Sequence, residues 1–289
     1  MSSILFKFIT PACISFYILQ KFVCYWKLLL NDISYVYNFI ERSESIVVRL
    51  VTILLSIIVV APYTINAFWF QLNGHSTIDI INHLPVLFAP SNYVFIIWIF
   101  IYGYLSLWVL KCFNLQKSKK VINQKQSILF VTISLLQLIS TFSWHYEQFF
   151  LSTILLSFQF IALLVLYLTF PLEKLSIQLR NPIAVYFSWT LFLLILSCCY
   201  VLVHIQWSGF GLSNALWCVF VMTIGTATIL HFRYHHHDVA SPSVFIWCYV
   251  GIAFENGFDE LFVTTAALFL SGVIVVGILF MKKNPVSSK

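Results

Sequence analysis

Seven apolar runs, each roughly 20 residues long, limit what this chain can fold into more than anything else does. They lie at about 50–70, 87–110, 126–144, 149–170, 182–203, 213–232 and 261–281. A run of that length crosses the ~30 Å hydrocarbon core of a bilayer as an α-helix. An eighth, at about 241–255, is short, but Ser241 and Pro242 read as a helix start and Asn256 and Gly257 as a stop, so it is kept as a crossing. With 61% hydrophobic residues, 9% charged residues and a mean hydropathy of +0.93, a water-soluble surface is excluded. The expected fold is an all-α membrane protein of about eight transmembrane helices. Residues 1–45 are read as an N-terminal cytoplasmic or interfacial segment, 46–283 as the membrane domain and 284–289 as a cytoplasmic tail.

The charges give the orientation. Basic residues in short loops stay on the cytoplasmic side, and here all 16 fall into alternate connections. Lys7, Lys21, Lys27, Arg42 and Arg49 precede the first run, and Lys111, Lys117, Lys119, Lys120 and Lys125 lie between the second and third. Lys174 and Arg180 join the fourth to the fifth, Arg233 the sixth to the seventh, and Lys282, Lys283 and Lys289 end the chain. The opposite loops carry acids and histidines: His75, Asp79, His83, His145, Glu147, His204, Glu255, Asp259 and Glu260. Both termini are therefore expected in the cytoplasm, and the formal charge of +6 describes a side facing the membrane surface rather than a nucleic-acid partner. Phe8–Gln20, flanked by Lys7 and Lys21, reads as an interfacial segment, with a signal peptide as the rival although no A-x-A-like site follows.

Two tempting chemistries lose ground on spacing. The seven cysteines show no metal or redox spacing and read as small apolar residues. His231, His235 and His236 form an H-x-x-x-H-H pattern of the kind found in membrane di-iron oxygenases, yet the other boxes such an enzyme needs on the same face are missing. His75, His83, His145 and His204 stand singly on the opposite side, where only convergence in the fold would make them ligands for a metal or haem.

Aromatic residues carry the stronger signal. Phe95, Trp98 and Tyr102 follow Pro90 at a spacing that stacks their rings along one helix stripe, with Pro90 expected in the first turn. Tyr186, Trp189, Leu193 and Tyr200 form a second stripe on the fifth run. Trp69, Trp108, Trp144 and Trp207 lie at run ends and read as an aromatic belt.

The residues Pro90, Tyr93, Val94, Phe95, Trp98, Ile101 and Tyr102 resemble the second-helix pattern of the tryptophan-rich sensory protein / translocator protein family (TspO/MBR). Leu72, Asn73, Gly74, Ser76, Thr77 and Ile80 look like the L-N-G-x-S-T-x-x-I loop of its longer, roughly eight-helix members. Pro182, Tyr186 and Trp189, and later Asp238, Trp247, Gly251, Ile252 and Ala253, resemble two further stretches of that group, so the likeness covers about 70–255. The chain departs from the family at Thr141 and around Ser197 and Cys198, where asparagines are usual.

This resemblance implies a five-helix TspO-like core with three C-terminal helices added, and a pocket for a hydrophobic planar ligand of the tetrapyrrole or sterol class. It places Phe95, Trp98, Tyr102, Tyr186 and Trp189 at that pocket. Short sterol-type patterns occur at Val23–Lys27 and, reversed, from Arg180 through Tyr186 to Leu191. No cofactor is required; a tetrapyrrole would be a ligand. The partners expected are the lipid bilayer, a hydrophobic small molecule and a second copy of the chain in a homodimer, with no nucleic acid. A binding or sensory protein leads, ahead of a small-molecule transporter without ion coupling, since no acid or base stands deep in a run. An enzyme comes third for want of acid–base groups there.

Overall fold

The structure, a computed structural model, describes residues 46–70, 73–115, 122–170 and 174–281. The expectations for residues 1–45, including the pattern at Val23–Lys27, and for the tail 284–289 lie outside the described residues. Contacts divide the chain into a unit of residues 1–49 and a unit of residues 50–289; the helical bundle lies in the second.

Nine α-helices are described: α1 (Ile46–Trp69), α2 (Thr77–Asn82), α3 (Ile97–Leu115), α4 (Gln124–His145), α5 (Phe149–Leu168), α6 (Lys174–His204), α7 (Asn214–His236), α8 (Ala240–Asn256) and α9 (Leu261–Phe280). Among the described residues, seven segments are long and apolar enough to cross a membrane: Val47–Trp69, Asn92–Phe113, Gln124–His145, Phe149–Leu168, Leu179–His204, Asn214–His236 and Leu261–Phe280. Their large exposed side chains, such as Phe100, Leu107, Phe158 and Phe269, form the apolar exterior that lipid requires.

Hydrogen bonds between helix ends sort the connections into two sides. On one, Asn73 Nδ2 donates to the His145 carbonyl (3.3 Å), Tyr200 Oη to Ile80 (3.0 Å) and Asn256 Nδ2 to Leu87 (3.0 Å). On the other, Gln126 Nε2 donates to Thr169 Oγ1 (2.9 Å), Arg180 to the His236 carbonyl and Arg233 to the Ile278 carbonyl (2.7 Å). The short helix α8 starts beside Tyr167, whose hydroxyl donates to Asp238 (3.0 Å), and ends beside Leu87. It therefore passes from one side to the other, although its 17 residues rise only about 25 Å.

The second apolar run begins differently from expectation. Pro90 is not in a helical turn; a 3-10 turn at Asn92–Ile96 follows it, and the α-helix starts at Ile97. Pro85 and Pro90 bias the residues before them toward extended backbone, which delays the helix. This turn is where α8 docks. Ser91 N–H donates to Gly251 (3.1 Å), and Trp247 Nε1 donates to the Val94 carbonyl (3.1 Å). A Cβ on Gly251 would collide with the Val94 side chain, so only glycine admits this approach. Asp238 takes the amides of Ala240 (2.9 Å) and Ser241 (3.2 Å) and the Ser241 hydroxyl (2.6 Å), capping α8 at its start.

Two belt assignments fail. Trp108 is buried and stacks on Phe130 (6.1 Å between centroids), and Trp144 is buried against Phe149 and Tyr200 at 5.0 and 4.9 Å. Position at a helix end fixes depth but not which way the side chain points. Trp69 and Trp207 retain exposed surface.

Candidate functional site: an aromatic cluster beside a polar-lined cavity

The stripes on α3 and α6 meet. Phe95, at the end of the 3-10 turn, and Trp98 and Tyr102 on α3 are buried, as are Tyr186 and Trp189 on α6. Trp98 stacks on Tyr102 (5.4 Å, 13° between planes) and meets Trp189 edge to face (5.9 Å, 89°). Phe95 also meets Trp189 (5.8 Å), and Trp98 approaches Tyr186 (6.2 Å). From α1, Phe68 adds contacts of 5.1 Å to Phe95 and 5.8 Å to Trp98. All five residues singled out from the sequence thus lie in one ring-to-ring cluster, each contact worth about 0.5–1.5 kcal/mol beyond burial. The indole N–H groups of Trp98 and Trp189 are buried without a partner.

Beside this cluster lies a cavity of about 60 Å³, bounded by Phe68 of α1, Thr77 and Ile81 of α2, Gln137, Thr141 and Trp144 of α4, Leu156 of α5 and Leu193 and Ser197 of α6. Its α4 wall is polar: Gln137, Ser140 and Thr141 recur at three- and four-residue steps, which puts them on one helix face. The row runs on into the aromatic cluster. Gln159 Nε2 donates to Tyr186 Oη (2.9 Å) and to Gln137 Oε1 (2.8 Å), and Gln137 Nε2 donates to Thr141 Oγ1 (3.0 Å). Ser140 and Ser152 pair at 3.2 Å and Thr153 with Ser197 at 2.5 Å. At the bottom of the aromatic cluster Tyr102 donates to Thr64 of α1 (3.0 Å). Trp144, on the cavity wall, keeps an unpartnered indole N–H, and Gln159 an unpartnered carbonyl oxygen.

The sequence reading missed Gln137, Gln159 and Trp144. Two amides and a run of hydroxyls at helical spacing inside apolar segments were the signal that could have found them. Thr141 and Ser197, the positions where the chain departs from the family's asparagines, both line the cavity and put hydroxyls there.

The loop motif on the first side has a structural use at each described position. Asn73 and Gly74 take positive φ (57° and 87°), and Ser76 caps α2 through a reciprocal box with Asp79. Those bonds from Ser76 hold the Asp79 carboxyl below the usual carboxylate range. Leu72 is outside the described residues.

The histidines do not gather. His231 and His235 lie one turn apart on the exposed face of α7 (4.4 Å between centroids), while His236 turns inward onto Phe232 and Tyr167. Among the described residues no three of His, Cys, Asp or Glu cluster closely enough to hold a metal. The reversed sterol-type pattern is also closed to lipid, because Arg180 is buried, lies over the Tyr167 ring (4.6 Å) and donates to His236.

A second cavity of about 230 Å³ opens on the first side between α6, α7 and the segment 85–88, lined among others by Phe88, Cys199, Trp207, Trp217 and Cys218. Phe88 of its wall meets Phe192 (5.1 Å), which stacks on Trp189 of the cluster (5.6 Å).

Comparison with curated proteins gives no significant match, and comparison with solved structures gives none. The family model described as TSPO-like protein matches residues 45–280, from the start of α1 to the end of α9, and so takes in the aromatic cluster, the polar cavity and the helices that follow them. With most of its length matched, this all-helical, multi-pass membrane chain belongs to the TSPO-like protein family.

Proposed function

We propose that the chain binds a hydrophobic planar ligand of the tetrapyrrole or sterol class between its aromatic cluster and the polar row of α4, in a sensory or transport-related role. The observation that supports this reading is the seam between the two: Phe68 belongs to both, and Gln159 bonds Tyr186 of the cluster to Gln137 of the cavity wall. A flat ring would lie against Phe95, Trp98, Tyr102, Tyr186 and Trp189, with its polar edge toward Trp144 and Thr141. Pockets that bury drug-sized ligands measure roughly 300–1,000 Å³, far above the 60 Å³ present here. Binding on this reading requires the α1 and α2 wall to move outward, and the ligand selects that open form.

Lipid tails offer a hydrophobic ligand much of the same transfer gain, so affinity rests on stacking and shape. The test is titration of the detergent-solubilised protein with protoporphyrin, read by tryptophan fluorescence. Saturable quenching is expected, weakened several-fold in Trp98→Phe and Trp189→Phe and little changed in Trp207→Phe. Quenching that never saturates sinks the reading, and a loss confined to Trp207→Phe moves the site to the second cavity.

A further inference from the structure

We infer that His145 is a proton-operated latch over the core cavity; the inference rests on that cavity being the ligand site. The imidazole is buried, with 3% of its surface exposed, and ends α4 directly after Trp144 of the cavity wall. Its Nδ1 lies 2.9 Å from the Thr141 carbonyl. Its Nε2 lies 3.2 Å from the Ala67 carbonyl and 3.2 Å from Thr77 Oγ1, whose hydroxyl itself donates to Ala67 (2.9 Å). Carbonyl oxygens only accept.

Counting protons separates the two states of the ring. With both nitrogens protonated, Nδ1–H serves Thr141, Nε2–H serves Ala67 and Thr77, and the Thr77 hydroxyl still serves Ala67. Every group is then satisfied. With one proton, either Nδ1 or Nε2 turns a lone pair on a carbonyl. The best neutral arrangement keeps Nδ1–H on Thr141 and takes the Thr77 hydroxyl as donor to Nε2, which strips the Ala67 carbonyl of its bond from Thr77.

Ala67 stands in the last turn of α1 and Thr141 in the last turn of α4, so two helix C-termini aim their negative ends at the ring. Among side chains, imidazole is the one whose charge ordinarily changes between about pH 5 and 8. The other titratable groups at this end include Tyr63 on α1, His75, Asp79 and His83 by α2, Tyr146 and Glu147 after α4, Tyr200 and His204 on α6, and Glu255, Asp259 and Glu260 around the end of α8. None is hydrogen-bonded to the imidazole, and Asp79, held low by Ser76, stays ionised across that window.

Ala67, Thr77 and Thr141 come from the three helices that close the cavity on this side. Protonated His145 ties α1, α2 and α4 together; neutral His145 releases the tie between α1 and α2. The cavity is therefore closed at low pH and free to open as pH rises.

The test uses ligand-free protein in detergent, with ¹⁵N-labelled histidine observed by NMR from pH 5 to 8 and the His145→Gln variant to identify the signals. Both ring nitrogens of His145 should carry protons at pH 5. Their loss on raising pH should coincide with faster deuterium uptake over residues 73–86, corrected for intrinsic exchange. Thr77→Val, which removes the hydroxyl that donates to the neutral ring, should move the transition to higher pH. A ring that keeps a single proton throughout, or uptake that does not change with pH, overturns the latch. In a second arm, protoporphyrin should associate several-fold faster at pH 8 than at pH 5 in the wild type and equally in His145→Gln; equal rates in the wild type overturn it too. Absence of protoporphyrin binding at any pH would instead defeat the proposed function and leave the ligand-free result standing.

Discussion

Helices α8 and α1 lean on the same α3 region and are held in opposite ways. α8 is fixed along its whole length: Asp238 caps its start, Trp247 reaches Val94 from its middle, Gly251 lets the backbones touch, and Asn256 bonds Leu87 at its end. From Ile53 onward, the side-chain and carbonyl bonds from α1 to other helices fall at Thr64 and Ala67, in its last two turns. Below them, clefts of about 410 and 240 Å³ part Leu55, Val59 and Tyr63 from Leu135, Leu138 and Phe142 of α4. Local stability follows the density of such contacts. Helix α8 is thus a fixture, and α1 is the wall that can give way.

The largest test of that contrast is Asp238→Ala. It removes the α8 cap and leaves the buried Tyr167 and Ser241 hydroxyls without the carboxylate they donate to, so a loss of about 2–4 kcal/mol is expected, a lost cap added to the cost of buried donors left unpaired. Thermal unfolding in one detergent measures it, and a loss under about 1 kcal/mol, within a single ordinary hydrogen bond, would deny α8 its anchor. Gly251→Ala should cost about 1–3 kcal/mol through overpacking against Val94, whereas Gly103→Ala, where a Cβ meets nothing within 4 Å, should be neutral or slightly stabilising. The smallest effect is expected on α1. Thr64→Val removes the Tyr102 bond at about 0.6 kcal/mol, typical of interhelical bonds in membranes; a loss as large as that of Gly251→Ala would erase the difference between the helices.

Helix positions were readable because lipid leaves no alternative to long apolar helices: α5 and α9 match the apolar runs at 149–170 and 261–281 almost residue for residue. The aromatic residues of the cluster were readable too, since Phe95, Trp98 and Tyr102 share a face by spacing alone. What spacing cannot give is the neighbour on the far side of that face. Trp144 and Trp108 sit at run ends, as belt residues do, yet point inward, Trp144 onto α5 and α6 and Trp108 onto α4. His145 read as a loop histidine for the same reason; only the meeting of α1 and α2 with α4 brings the Ala67 carbonyl and the Thr77 hydroxyl to its ring, beside the Thr141 carbonyl of its own helix.

The brevity of α8 bears on how the chain enters a membrane. Seventeen residues with Ser241 and Pro242 in the first turn and Glu255 and Asn256 at the end make a weak stop for an insertion machinery that reads hydrophobicity segment by segment. Its receptors, Leu87, Val94 and Tyr167, are all translated earlier. When α8 emerges, the groove that accepts it has already been delivered, so this one helix can enter by docking onto earlier helices rather than by its own partition into lipid.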